Sequence, residues 1–311
     1  MERERKMQKS TTTWITRRRN IVVLAVLCTL LWGSAFPGVK IGYELFKIET
    51  SDLGGKLLFA GLRFTLAGMI TTLFAFYFHK KVVVPTKKNW KGILVLGFIQ
   101  TFMQYVFFYI GLSNTTGSKG AIVNATGTFI TVILAFICYK NEKISLMKIL
   151  GCIIGFVGII IVNFDKNEAI SFSLQGEGFL LFAAVTFAVG SIVSKYIAKE
   201  EDPIILTGYQ MMFGGALLIF LALLCHGKIQ GFSLQAALIL LYLALLSAIA
   251  FTIWMTLLKY NSVSKISIFN SLIPVFGVIL SSTFLGDNII NIQSLVALIF
   301  VSSGIYIVNK G

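Results

Sequence analysis

Ten apolar segments, each about 20 residues long, dominate this 311-residue chain. Segments of this length with few charges are typical of helices that cross a lipid bilayer. Only 13% of the residues are charged, whereas in a soluble domain about a quarter are. We therefore predict an all-α integral membrane protein with ten transmembrane helices and no soluble domain. The predicted spans are 21–43, 57–78, 92–112, 117–139, 146–164, 177–197, 204–225, 235–258, 264–285 and 292–309.

The net charge of +14 is distributed unevenly between the two sides of the predicted membrane. If the N-terminus is cytoplasmic, 20 of the 27 Lys and Arg residues lie on the cytoplasmic side, five lie outside, and Lys40 and Arg63 lie within spans. This bias follows the positive-inside rule. It predicts a multi-pass membrane protein with both termini cytoplasmic. The charge bias accounts for the basic charge, so we expect no nucleic-acid partner. The expected partners are the lipid bilayer and a small-molecule substrate. We expect the protein to be a monomer or homodimer.

The chain contains an internal repeat. Residues 104–163 align without a gap with residues 250–309 at an offset of 146, and Asn124 pairs with Asn270. Each copy belongs to a unit of five predicted spans, and because five is odd, the second unit is inverted in the membrane. Inverted repeats with a substrate site between the halves are an architecture of secondary transporters. The predicted units are a basic cytoplasmic tail (1–20), a first five-helix repeat (21–164), a linker (165–176) and a second five-helix repeat (177–309).

Polar and aromatic side chains recur within the predicted spans. Polar groups at membrane depth are costly to bury, so they usually face the protein interior. Gln100 and Gln104 are four residues apart and are expected to share a helix face. These side chains either line a substrate path or join helices by hydrogen bonds, and the aromatic ones can instead anchor the membrane interface. The candidate substrate-binding residues are Trp32, Ser34, Arg63, Gln100, Gln104, Tyr105, Asn124, Tyr209, Gln210, Trp254 and Asn270.

Arg63 is the sharpest candidate, about two turns inside the second span. Its guanidinium can grip a carboxylate with two parallel hydrogen bonds, or it can bind helix-end carbonyls or extend outward to the interface. Pro37 and Pro274 remove backbone donors within spans and are candidate helix kinks. Interrupted helices occur at transporter sites; a kink that serves packing alone is the alternative.

The sequence lacks the usual signs of catalysis or metal binding. All 13 acidic residues lie in the tail, in loops or at span ends, so a proton relay through a buried carboxylate is not expected. Neither the two histidines nor the four cysteines show metal-binding spacing. We expect no metal site, no cofactor and no enzymatic activity.

Several short motifs occur in order along the chain: residues 31–36 followed by Lys40, residues 62–64, the turn from Gly111 to Asn124, residues 141–144 before a glycine-rich fifth span, and residues 271–275. With these motifs the sequence resembles the drug/metabolite transporter superfamily, specifically its EamA-type families, over about residues 21–309. Two positions depart from the family pattern. Thr128 stands where the first repeat often has the proline that Pro274 supplies in the second, and Asn288 aligns with Glu142.

The resemblance implies a ten-helix inner-membrane carrier, many relatives of which export amino acids or other small metabolites. We therefore predict a secondary transporter that moves a small organic metabolite outward by alternating access. A carrier of sugar phosphates or nucleotide sugars is one alternative, but such ligands need several cations facing the cavity. A membrane-embedded enzyme and a non-transporting membrane scaffold are the alternatives from other classes.

Overall fold

The structure is a computed structural model that describes residues 14–80, 84–138, 145–163, 172–198, 200–261, 266, 268–286 and 292–310. Within these ranges the regular secondary structure is helical, with no β-strand. Its principal helices are α1 (Arg18–Leu45), α2 (Leu53–His79), α3 (Trp90–Ser113), α4 (Gly117–Cys138), α5 (Leu146–Asn163), α6 (Leu174–Ile197), α7 (Pro203–Leu224), α8 (Leu234–Tyr260), α9 (Leu272–Leu285) and α10 (Ile292–Lys310).

Seven of these helices, α1–α4 and α6–α8, are long and apolar enough to cross a membrane, and α5, α9 and α10 contain shorter apolar helices. The prediction of a helical, multi-span membrane protein is confirmed. Helix α1 begins at Arg18, within the predicted basic tail, and α6 begins at Leu174, within the predicted linker. Residues 1–13 and 164–171, which contain most of the predicted tail and linker, lie outside the described residues.

Side-chain caps determine where several helices begin. Asp52, Thr116, Ser173, Asp202 and Ser233 each accept a hydrogen bond from a backbone N–H in the first turn of α2, α4, α6, α7 and α8 respectively. Such caps satisfy donors that have no partner within the helix. For α6, the cap at Ser173 explains why the helix starts three residues before the predicted boundary.

Helices α2 and α7 occupy the same place in the two repeats and pack closely against each other. A Cβ atom at Gly61 would lie 2.6 Å from Ile219 Cγ1, and one at Gly68 would lie 2.5 Å from Met212 Cγ. Because residue numbers rise along α2 as they fall along α7, the two helices are antiparallel. Equivalent helices that run in opposite directions are the geometric signature of inverted repeats.

Helices α5 and α10, the last of each repeat, show the same relation. A Cβ atom at Gly158 would lie 2.8 Å from the Ala297 carbonyl oxygen, and one at Gly304 would lie 2.6 Å from the Gly151 carbonyl oxygen. These two helices are therefore also antiparallel. Glycine permits such close approach of backbones where lipid provides no hydrophobic driving force for helix association.

A buried ion pair joins the two repeats at one end of the bundle. Lys119 Nζ, near the start of α4, lies 2.9 Å from Glu177 Oε1, near the start of α6. The same carboxylate accepts hydrogen bonds from Thr115 Oγ1 at 2.9 Å and from the Ser173 backbone N–H at 2.8 Å. The exposed fraction of the Glu177 side chain is 3%, so these groups, rather than water, stabilise its charge.

A second polar cluster joins the repeats at the opposite end. Glu201, before α7, accepts hydrogen bonds from the Thr86 backbone N–H and hydroxyl, and its carbonyl accepts one from Lys259 Nζ at the end of α8. Beside it, Lys88 and Glu200 form an exposed ion pair of 2.9 Å, and the Glu200 carboxylate raises the pKa of Lys88 above its usual range. The loops before α3 and α7 and the end of α8 thus meet at one end, as the predicted alternation of spans requires.

Candidate functional site

A cavity lies between the two repeats. About 670 Å³ inside it is free of protein atoms, counting the part that opens to solvent. Helices α1 to α4 from the first repeat and α6, α8 and the α9 region from the second contribute to it. The lining residues are Trp32, Ala35, Phe36, Arg63, Gln104, Tyr105, Phe108, Asn124, Ala125, Gly127, Thr128, Phe187, Phe251, Asn270 and Ile273.

The two repeats depart from regular α-helix at equivalent places beside this cavity. Helix α4 contains a turn at Ala125, and at the equivalent place in the second repeat a 3₁₀ turn, Ile268–Ser271, precedes α9. Asn124 and Asn270, which are repeat equivalents, lie at these interruptions and line the cavity. Interrupted helices at the interface of inverted repeats are where transporters form their substrate sites.

Of the two candidate kinks, only Pro274 lies at one of these irregular positions. Helix α1 continues through Pro37 without a break. Pro274 is the third residue of α9, directly after the 3₁₀ turn, where a missing backbone donor is tolerated because the first turn lacks internal acceptors. Thr128 occupies the equivalent position in α4, which is interrupted without a proline. The break is thus common to both repeats, and Pro274 is compatible with it rather than necessary for it.

The Arg63 side chain crosses from α2 to the second repeat. Its exposed fraction is 1%. Its Nε donates to the Leu243 carbonyl at 3.2 Å and to Ser247 Oγ at 3.0 Å, and its Nη1 donates to the Tyr109 hydroxyl at 3.1 Å. The guanidinium carbon lies 4.8 Å from the centroid of the Phe64 ring. The structure therefore has Arg63 binding a helix carbonyl while its guanidinium also lines the cavity.

Three buried polar atoms of cavity-lining residues have no hydrogen-bond partner among the described residues: Trp32 Nε1, Gln104 Oε1 and Asn270 Oδ1. An unpaired polar atom in the protein interior costs about 1–3 kcal/mol, so each such atom needs an explanation. They comprise one donor and two acceptors, all on residues of the cavity lining. The described residues contain no group of three or more His, Cys, Asp or Glu that could hold a metal ion.

Aromatic rings from both repeats form the apolar part of the lining. The Trp32 ring makes edge contacts with Phe251 at 5.4 Å, with Trp254 at 4.9 Å and with Phe187 at 6.3 Å between centroids. Phe36 and Phe108 contact each other at 5.6 Å. Such rings provide a rigid apolar surface at low entropic cost.

A smaller pocket adjoins the main cavity and shares Phe187 and Asn270 with it. Ser191 on α6 and Trp254 and Leu258 on α8 also line it. These residues lie toward the ends of α6 and α8, the same end of the bundle as the Glu201 cluster. The pocket therefore extends from the cavity toward that end.

Five of the candidate residues lie away from the main cavity. Gln100 accepts a hydrogen bond from Ser194 Oγ, Gln210 accepts one from Thr101 Oγ1, Ser34 shares one with the Tyr242 hydroxyl, Tyr209 packs against Trp90, and Trp254 lines only the smaller pocket. The first four join helices, which is the alternative role considered for such residues. The other six candidates, Trp32, Arg63, Gln104, Tyr105, Asn124 and Asn270, line the main cavity.

The structure places Gln100 and Gln104 in different surroundings. Residues Gly97–Met103 form a π-helical segment within α3, which contains Gln100 and ends directly before Gln104. Gln100 packs against α6, where a Cβ atom at Gly190 would lie 2.8 Å from the Gln100 Cβ. Only Gln104 reaches the cavity.

Sequence reasoning missed four aromatic lining residues, but the repeat contained a signal for three of them. At the offset of 146, Phe251 is the equivalent of Tyr105 and Phe108 is the equivalent of Trp254; in the first helix of each repeat, Phe187 corresponds to Trp32, since each lies eight residues before a lysine. Tyr105, Trp254 and Trp32 were candidates, so applying the repeat to each would have found its partner. The fourth aromatic residue, Phe36, carries no such signal.

The sequence profile of the EamA-like transporter family matches residues 19–164 and 174–310. The chain belongs to the EamA-like transporter family. Each matched segment contains one of the two interrupted helices, with the break at Ala125 in the first and at Ile268–Ser271 in the second. The family match and the helical fold make this a multi-span integral membrane protein of a transporter family, working in a lipid bilayer on a small-molecule substrate.

Several EamA-like relatives cover most of the chain. A chloroplastic WAT1-related protein of Arabidopsis thaliana is 26% identical over 289 residues, 89% of this chain, which spans 66% of that protein's length. The uncharacterized transporter YoaV of Bacillus subtilis is 24% identical over 92% of this chain and 95% of its own. A solved crystal structure superimposes with a TM-score of 0.70 at 17% identity, covering 93% of this chain and 96% of that one, which supports the fold alone.

Proposed function

We propose that this EamA-like protein is a secondary transporter that moves a small organic metabolite, an amino acid or a solute of similar size, outward by alternating access. The observation that carries the proposal is the cavity between inverted repeats, with interrupted helices and unpartnered polar atoms in its lining. A mixed lining of amide, aromatic and guanidinium groups suits a solute with both polar and apolar parts.

The two polar clusters support alternating access. The Lys119–Glu177 pair joins the repeats at one end, and the Glu201 contacts with Thr86 join them at the other. In alternating access one repeat rocks against the other about the central site. Opening either end then requires that end's cluster to separate while the opposite cluster holds.

The proposed orientation rests on the charge pattern. The excess of cations on one side favours cytoplasmic termini, and the family resemblance favours a plasma or inner membrane. In that orientation the Glu201 cluster is cytoplasmic and the Lys119–Glu177 pair is extracellular. The proposal includes no nucleic-acid partner and no enzymatic activity, and it takes the working unit to be a monomer or homodimer.

A carrier of sugar phosphates or nucleotide sugars fits less well. Such ligands bring two or more negative charges, which need several cations at the site. In the described lining of the main cavity, Arg63 is the one cationic residue. A non-transporting scaffold would not explain the unpartnered polar atoms in the lining of the cavity.

Purified protein in liposomes tests the proposal directly. We expect it to move at least one labelled solute from a panel of amino acids and small metabolites, faster than empty liposomes do. Failure to move any member of a broad panel, in either direction, would contradict transport. Comparing uptake with release for protein of known orientation in the vesicles then determines the direction.

Substituting the two amide residues of the cavity tests the site. Gln104→Leu and Asn270→Leu are each expected to raise KM for the transported solute about five- to tenfold, the loss of one hydrogen bond. Gln100→Leu is the matched control, since Gln100 is a buried glutamine of the same helix that lies away from the cavity. We expect this control to leave KM unchanged. Unchanged KM in both cavity variants would remove the two residues from the site.

A further inference from the structure

Arg63 is a buried cation whose described partners are all neutral. They are a carbonyl, two hydroxyls and the Phe64 and Tyr105 rings. Among the described residues no carboxylate lies within ion-pair distance, and Nη2 donates to no protein atom. The guanidinium therefore brings an unneutralised positive charge to the wall of the cavity.

The acidic residues of the described ranges are all engaged or exposed elsewhere. Asp52 and Asp202 cap helices, Glu177 pairs with Lys119, Glu200 pairs with Lys88, and Glu201 binds the loop before α3. The remaining two, Glu44 and Glu49, are exposed at the ends of α1 and its following loop. None of the seven lines the cavity.

An unneutralised buried cation is costly, because the protein interior solvates a charge less well than bulk water does. Removing a charged group from water costs several kcal/mol after relaxation, and each neutral hydrogen bond or ring contact returns only about 1–2 kcal/mol. A bound anionic group would supply the missing interaction. A carboxylate is planar and matches the guanidinium's paired donors.

We propose that Arg63 makes the cavity selective for solutes with a carboxylate or comparable single anionic group, and that it excludes organic cations. This inference rests on the proposed transport function and specifies the charge class of its substrate. The amine of an amino acid would lie among lining residues that carry no negative charge, such as Gln104 and Asn270. The carboxylate is therefore the required group, and the amine contributes less.

A purely structural role for Arg63 makes a different prediction. In that case Arg63 only ties α2 to α8 and α3, and its substitution lowers stability without changing which solutes are accepted. Charge selectivity separates the two roles, since it can be measured on the wild-type protein with matched solutes. No variant needs to fold for that comparison.

The experiment compares leucine with leucinamide and 4-methylpentanoate, and phenylalanine with phenylalaninamide and 3-phenylpropanoate, in proteoliposomes. We expect the amino acid to be transported, the carboxylate without an amine to compete with it, and the amide, which lacks the carboxylate, to be at least about tenfold weaker. Transport of the amides at rates comparable to the acids would overturn the inference while leaving the transport function intact. Failure of all six solutes while a panel solute without a carboxylate is moved would overturn the inference alone, and failure of the whole panel would contradict the transport function as well.

Arg63→Gln and Arg63→Lys then assign the selectivity to the residue. Arg63→Gln is expected to lower kcat/KM for the acid about ten- to a hundredfold and to narrow the preference for acid over amide. Arg63→Lys keeps the charge and is expected to retain the preference with weaker binding, since lysine lacks the paired donors. If Arg63→Gln reconstitutes normally and keeps the full preference for the acid, the residue does not set it.

Discussion

Replacing Gly304 with valine is expected to prevent α10 from packing against α5 and to lower stability by about 3 kcal/mol or more. A Cβ atom at this position would lie 2.6 Å from both the Gly151 carbonyl oxygen and the Gly155 backbone nitrogen. Both contacts are with backbone atoms of a helix, so neither can move aside as a flexible side chain would. The two helices would have to separate, and the contacts of α5 with α10 would be lost along their length.

The measurement is the apparent unfolding temperature and the monodisperse yield in detergent. Gly127→Ala is the matched control, because a Cβ atom at Gly127 would have its nearest neighbour at 3.4 Å, an ordinary contact. We expect this control to unfold close to the wild-type temperature. A Gly304→Val protein with wild-type yield and unfolding temperature would show that the close approach of α5 and α10 is not needed.

Replacing Lys119 with methionine is expected to destabilise the protein by about 2–3 kcal/mol, because Glu177 would remain buried without its cation. The side chains of Glu177 and Lys119 are 3% and 19% exposed, so water screens the pair only in part. The effect is expected at neutral pH and should shrink in acid, where protonation removes the unpaired charge. Thermal unfolding in detergent across that pH range measures it.

Two controls separate the buried charge from other effects of the substitution. The double variant Lys119→Met/Glu177→Met removes both charges and is expected to recover much of the lost stability. Lys88→Met breaks the exposed pair with Glu200, whose side chains are 77% and 54% exposed, and is expected to cost less than about 1 kcal/mol. Equal losses for Lys119→Met and Lys88→Met would contradict the role assigned to burial.

Much of the fold was predictable because lipid imposes simple demands on sequence. A spanning helix needs a continuous apolar segment, and its flanking cations report the side on which each loop lies. These rules indicated the helices in order, and the glycines of α5 permit a close helix approach. They did not identify α10 as the partner of α5, because small residues permit close contact without specifying which helix makes it.

The membership of the cavity was only partly predictable. Polarity at membrane depth indicates that a side chain faces protein, but it does not separate a solute site from a helix contact. Gln100 and Gln104 illustrate the limit: they have the same type, helix and expected face, yet one binds Ser194 and the other lines the cavity. What distinguishes them is packing: Gln100 lies in a segment that approaches α6 and α7 closely at Gly190 and Gly97.

The sequence by itself determined the number and order of the apolar helices, the internal repeat and the pairing of Asn124 with Asn270. These features depend on composition and spacing along the chain, which lipid and backbone hydrogen bonding translate directly into helices. Only the tertiary structure decided which helix faces meet, that both asparagines lie at helix interruptions, and that Arg63 reaches the cavity without a described counterion. Those features depend on the rotation and register of packed helices. Glycine contacts between residues that are far apart in the sequence fix both.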